Sequence, residues 1–88
     1  MATDPTADKL RKVYLEIFKT QFPQLSDSEI TQLEYGQNLD WDSLAHLRII
    51  SELDSKLGVI LSLKQMIEFK SFEKGLWIIL DAKKIKTL

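Results

Sequence analysis

Cysteine is absent from the 88 residues, so the chain can form no disulfide and offers no thiolate to a metal. This absence is compatible with a reducing cytosol. Glycine and proline are scarce, at three and two residues, which fits helices better than a strand-and-turn architecture. No apolar run reaches the length of a membrane span, and the N-terminal Met1-Ala2-Thr3-Asp4-Pro5 lacks the basic, apolar pattern of a secretion signal. These absences predict a soluble cytoplasmic protein. Repeats and low-complexity segments are also missing, and the length predicts a single small domain, 1–88, with a core used economically. A single histidine without cysteine makes a poor metal site.

A strong charge of either sign is lacking too, since the net charge is −1. Its distribution is uneven. Residues 1–42 carry four Lys/Arg against eight Asp/Glu, whereas residues 43–88 carry eight against five. Neither half concentrates basic residues into the patch that nucleic acid binding requires.

What the chain does contain is helical signal. Thr3-Asp4-Pro5 is a helix start, with a capping candidate ahead of proline at the first helical position. Leu10, Val13, Tyr14, Ile17 and Phe18 follow the spacing of an apolar helical stripe, and Pro23 predicts a stop at about Gln21. From Phe22 to Asp42 runs a long connection, with a capping-box pattern at Ser26-Asp27-Ser28-Glu29 that predicts a short turn of helix through Leu33. Leu25, Ile30, Leu33 and Leu39 are spaced to anchor this connection in the core, and Gly36 and Asn38 mark turns. Beyond Gly58, the apolar run Val59-Ile60-Leu61 has no partner strand in view and reads as an extended connector. Ser62 to Phe69 predicts a short helix with Leu63, Met66, Ile67 and Phe69 inward. Ser71 caps a last helix with Phe72, Leu76, Ile79 and Leu80 as its core stripe, and Lys83, Lys84 and Lys86 complement its C-terminal dipole.

The stretch of most chemical interest is Leu39-Asp40-Trp41-Asp42-Ser43-Leu44, where the loop gives way to an amphipathic run from Ala45 to Leu57 closed by Gly58. Asp40 or Asp42 is a natural N-cap, and Gly58 can take the left-handed conformation that ends a helix. Ser43 then lies in the first turn, at the positive end of the helix dipole, a favourable place to hold a phosphate. On a helical wheel of about 100° per residue, His46, Leu47, Ile49, Ile50, Leu53 and Leu57 form the expected core face. Arg48, Ser51, Glu52 and Ser55 form the solvent face, and Leu44 falls with them. An outward leucine directly after such a serine predicts a docking contact.

With Asp42-Ser43-Leu44, the helix to Gly58-Val59, and Phe69-Lys70-Ser71-Phe72-Glu73, the chain resembles the acyl carrier proteins and their peptidyl-carrier relatives, from the first helix to about Leu80. The resemblance implies an all-α, acyl-carrier-like four-helix bundle of three longer helices and one short helix with a long first loop. It implies a 4′-phosphopantetheine arm on Ser43, whose thiol holds acyl or aminoacyl groups as thioesters, with Asp42 as the acidic neighbour. Implied partners are a phosphopantetheinyl transferase, which draws the arm from coenzyme A with Mg²⁺ in its own site, and enzymes that load and accept the cargo. The carrier itself is not expected to be an enzyme, nor to bind nucleic acid, nor to span a membrane, and is expected to be a monomer.

Other readings compete at individual residues. Asp42, Ser43 and His46 suggest a hydrolase, but neighbours on one helical turn point too far apart for the relay that a triad needs, and no Gly-x-Ser-x-Gly elbow accompanies them. His46 is expected instead to hydrogen-bond the backbone of the preceding loop. Trp41 either packs the loop or lines the arm's exit, where it would join Leu44 and Arg48 in docking. For Trp41 and Trp77 alike, core packing is the stronger expectation, given the area a tryptophan buries. Trp77 and Ile78 lie off the stripe of the last helix, so at least one packs on the first helix or stays partly exposed. Gly75 leaves room either for an acyl chain or for close helix packing. The Leu44–Leu57 helix departs from the strongly acidic recognition helix of fatty-acid carriers, because Arg48, Glu52, Asp54 and Lys56 balance to zero. That balance points to a dedicated carrier for a specialised pathway. An unmodified helical adaptor, binding through Leu44 and Arg48, is the alternative.

Overall fold

The computed structural model describes residues 5–37 and 40–83. Among the described residues five helices follow one another, α1 Pro5–Gln21, α2 Asp27–Thr31, α3 Ser43–Leu57, α4 Leu63–Glu68 and α5 Phe72–Ala82. The fold is thus all-helical, with three longer helices and two short ones rather than one. The additional helix is α2, the turn expected inside the first connection.

Local chemistry sets most of the boundaries. α1 begins at Pro5, while the capping candidates Thr3 and Asp4 lie outside the described residues, as do Asn38, Leu39, Lys84 and Lys86. It stops at Gln21, two residues before Pro23, and Phe22 closes the last turn by donating to the Phe18 carbonyl at 2.8 Å. α2 carries a complete capping box: Glu29 N–H donates to the Ser26 hydroxyl at 3.2 Å and Ser26 N–H donates to the Glu29 carboxylate at 2.9 Å. The Ser26 backbone bond, reinforced by the Ser26 side chain, holds the Glu29 carboxyl below its ordinary pKa. Ser62 and Gln65 repeat the same box at α4, and the Ser71 hydroxyl caps α5 by accepting from Lys74 N–H at 2.9 Å.

The core is aromatic. Phe18 lies at its centre, with ring centroids 5.0 Å from Tyr14, 5.3 Å from Trp41 and 5.0 Å from Phe72, in edge-on contacts that suit ring quadrupoles. Leu10, Ile17, Ile30, Leu33, Ile49, Leu53, Ile79 and Leu80 complete it, with Val13, Leu25, Ile50, Leu57, Met66 and Leu76 packed at its edges. Ala7, Ala45, Phe22 and Ile78 are buried as well. The Tyr14 hydroxyl donates to the Phe72 carbonyl at 2.8 Å, tying α1 to the start of α5, and burial pushes its pKa well up. Between these elements α5 comes so close that a Cβ on Gly75 would collide with the Tyr14 hydroxyl and the Phe69 ring. Gly75 therefore serves close packing and leaves no room there for a chain.

The first connection is sewn to the start of α5. Tyr35 N–H donates to the Lys70 carbonyl at 2.7 Å, Phe72 N–H donates to the Leu33 carbonyl at 3.0 Å, and Glu34 and Ser71 form an isolated antiparallel bridge. Gly36, at φ 86°, turns the chain away from this clip. The Val59–Leu61 segment is an extended connector: Val59 and Leu61 are buried while Ile60 points outward, the alternation of an extended chain.

Four apolar side chains expected inside lie outside. Leu47 is 60% exposed, Leu63 73%, Ile67 61% and Trp77 56%. On α3 the buried face is centred on Ala45, Ile49 and Leu53, which leaves Leu47 beyond its edge. α4 is too short to bury a face; none of its own residues is buried, and Phe69 just beyond it makes the core contact. On α5, Ile78 takes the inner position and Trp77 turns outward, on the exposed side of the helix with Lys74 and Asp81. No helix among the described residues is long and apolar enough to cross a membrane.

Candidate functional site

The N-terminus of α3 is built by Asp42. Its backbone is extended, its carboxylate accepts from Ala45 N–H at 2.9 Å, and its carbonyl accepts from His46 N–H at 2.9 Å. Of the two capping candidates Asp42 is thus the cap. Asp40 instead accepts from the Gln24 side chain at 2.8 Å, bracing the loop against the end of α1. Gly58 closes α3 in the left-handed conformation, at φ 66°. Ser43 is the first helical residue and is exposed. Leu44 is 56% exposed, as its outward position on the wheel requires, and Arg48 is exposed one turn further on.

Beneath this surface, Trp41 is 1% exposed. It packs the loop on Phe18 and Phe69 and is withdrawn from any docking surface. Its indole N–H donates to Nδ1 of His46 at 3.1 Å. Because Nδ1 accepts, Nε2 carries the proton, and it lies 3.1 Å from the Met66 carbonyl of α4 as a donor. His46 is therefore a satisfied structural histidine, but its partners are the loop's indole and the backbone of α4, not the loop backbone. A side chain donor already fixed in the loop, and a carbonyl brought up by α4, outcompete the neighbouring peptide groups.

Ser43 has a partner that the sequence did not disclose. Its Oγ lies 3.2 Å from the Tyr35 hydroxyl. Tyr35 comes from the clip between the first connection and α5, and its ring rests on His46 and Trp41 at centroid distances of 4.9 and 5.9 Å. Nothing in the periodicity of a loop marks such a residue. The turn at Gly36 is the one local hint that the chain reverses beside it.

Asp42, Ser43 and His46 thus each bond to groups outside this trio, and the base-to-nucleophile and orienting contacts of a triad are not assembled. Among the described residues no group of three or more metal-ligating His, Cys, Asp or Glu side chains comes together.

A groove of about 410 Å³ opens between α3 and α4. Leu47, Ile50, Leu63, Met66, Ile67 and Phe69 line it, so three of the unexpectedly exposed side chains face one shared space. Tyr35, His46 and Lys70 supply its polar groups. Tyr35 therefore touches both Ser43 and the groove.

Comparison with known proteins finds no matching family model, no matching curated protein and no matching solved structure.

Proposed function

We propose that this chain is a carrier protein, non-enzymatic and cytoplasmic, built as an acyl-carrier-like bundle and working through a 4′-phosphopantetheine arm attached to Ser43. The observation that carries the reading is the placement of Ser43: an exposed hydroxyl on the first residue of α3, behind the Asp42 cap, in contact with Tyr35, which lines an apolar groove. The residues fit a phosphodiester. The positive end of a fifteen-residue helix favours an anion there, the Tyr35 hydroxyl is a donor within reach of Ser43, and the Asp42 carboxylate is occupied by Ala45 N–H.

When bound, the arm supplies a terminal thiol that holds an acyl group as a thioester. The chain's own residues divide the remaining work. Ser43 offers its hydroxyl to a phosphopantetheinyl transferase, Leu44 and Arg48 present the docking surface to that enzyme and to the loading and acceptor enzymes, and the groove takes cargo. Its apolar lining favours an acyl chain over an aminoacyl group. Arg48 on the exposed face, with a helix of zero net charge around it, supports a specialised pathway over housekeeping fatty-acid synthesis. Nucleic acid has no place in this reading, and neither does a membrane span; the carrier acts as a monomer.

The second reading, an unmodified helical adaptor, draws support from the exposed Leu44, Leu47, Leu63 and Ile67, which suit a partner surface as well as a cargo groove. One experiment separates the two. The protein is incubated with coenzyme A and a broad-specificity transferase, and its intact mass is measured. A single phosphopantetheine increment that Ser43→Ala abolishes is the expected result. No increment with several transferases would leave the adaptor standing.

A further inference from the structure

We propose that Tyr35 is the positioning residue for the root of the arm, its hydroxyl passing from Ser43 Oγ in the unmodified chain to the phosphodiester in the loaded one. This inference rests on the carrier reading and deepens it.

The argument starts from proton inventory. In the unmodified chain two hydroxyls face each other at 3.2 Å, and either can donate. Esterification removes the proton from Ser43 Oγ and puts acceptor oxygens in its place. From then on the bond can run in one direction only, with the phenol donating. A donor to an anion forms a charge-assisted bond, stronger than the hydroxyl pair it replaces. It also offsets the nearby Asp42 carboxylate, which by itself would repel a phosphodiester.

The second step is anchorage. A tyrosine that is 37% exposed would ordinarily sample several rotamers, but this one is held from several sides. Its ring lies on His46 and against Trp41. Its backbone N–H is fixed to Lys70, and the adjacent Glu34 pairs with Ser71. His46 in turn is pinned at both nitrogens. The phenol is thus a pre-placed donor, costing little ordering entropy when the anion arrives.

The third step is direction. Tyr35 lines the groove between α3 and α4 as well as touching Ser43. A phosphodiester held by this hydroxyl starts the arm at a residue that lines the groove together with Leu47, Leu63 and Ile67. Without the hydroxyl the arm would be tethered only by a single rotatable serine.

The test uses the full chain, loaded by a broad-specificity transferase and checked by intact mass. The ³¹P resonance of the phosphodiester is compared between wild type and Tyr35→Phe, which keeps the ring and removes the donor. Each protein is loaded to completion, as intact mass reports, and the expected result is a Tyr35→Phe resonance shifted and narrowed toward that of free phosphopantetheine. A second measurement needs no variant. The chain has two tyrosines, so ¹³Cζ labelling gives two signals; on loading, the Tyr35 signal should move while that of Tyr14, bound to the Phe72 carbonyl, stays. Full loading with unchanged ³¹P and Tyr35 signals would overturn the role of Tyr35 and leave the carrier reading intact. Absence of the mass increment in wild type would overturn both.

Discussion

Tyr14 and Ser43 show how differently one hydroxyl can be used. The Tyr14 hydroxyl is sealed between α1 and α5, bound to the Phe72 carbonyl and crowded by Gly75. Burial raises its pKa well above the ordinary value near 10, so the folded state keeps the proton longer than the unfolded chain does. The stability this contributes is fully present below about pH 10 and is lost as pH rises beyond it toward the higher folded value. Urea unfolding between pH 8 and 11 should therefore show an alkaline loss in wild type that Tyr14→Phe lacks. At neutral pH the same substitution should cost about 1 kcal/mol, for the hydrogen bond removed. An identical pH dependence in the two proteins would mean that the phenol is not sealed. Gly75 was legible in the sequence only as a gap, compatible with cargo or with close packing. The rings that fill the gap come from α1 and from the residue after α4, and no local pattern specifies them.

Helices were the most legible elements, because their ends depend on neighbours within a few residues. The stop ahead of Pro23, the capping box at Ser26, the Asp42 cap, the left-handed Gly58 and the Ser71 cap all appear where local hydrogen bonding places them. Faces were harder. A wheel states which side chains share a direction, not what lies in that direction. On α3 it separated Leu53 from Leu44 correctly but put Leu47 inside, because only the packing of α1, which is the main neighbour of α3, defines where the buried arc ends. The same limit applies to Leu63 and Ile67 on α4 and to Trp77 on α5. Leu53→Ala should accordingly destabilise the fold by roughly 2–5 kcal/mol. Leu44→Ala and Leu47→Ala should each stay within about 0.5 kcal/mol, as surface substitutions do. Chemical denaturation of the three variants checks this, and a large loss at Leu47 would mean that the groove wall is part of the core. The site was half legible on the same grounds. Asp42, Ser43, Leu44 and Arg48 lie on the first two turns of one helix and its cap, whereas Tyr35 is held beside Ser43 by pairing with residues near 70 that the sequence does not announce.

Across the whole molecule, charge is divided between an acidic first half and a basic second half, with Arg48 at the exposed side of the helix that carries Ser43. In the carrier reading any enzyme serving Ser43 approaches past this cation. Arg48→Glu should slow loading and transfer by the cognate enzymes and speed those by fatty-acid synthesis enzymes, whose basic patches the arginine repels. Both changes should shrink as salt rises, since surface charges act mainly on association rate and are screened. Kinetics of the two proteins with each enzyme set, at low and high ionic strength, decide the matter; indifference in both sets would reduce Arg48 to a solvated surface charge. The clip of residues 33–35 on 70–72 acts at this scale too. It joins the two ends of a segment that contains all of α3 and α4, so it is a clasp on a large loop. Closing such a loop loses chain entropy before any bond repays it. Loosening the clasp at residues 70–72 would therefore free the backbone of Tyr35 as well, so a disturbance at the start of α5 is felt at the hydroxyl that stands beside Ser43.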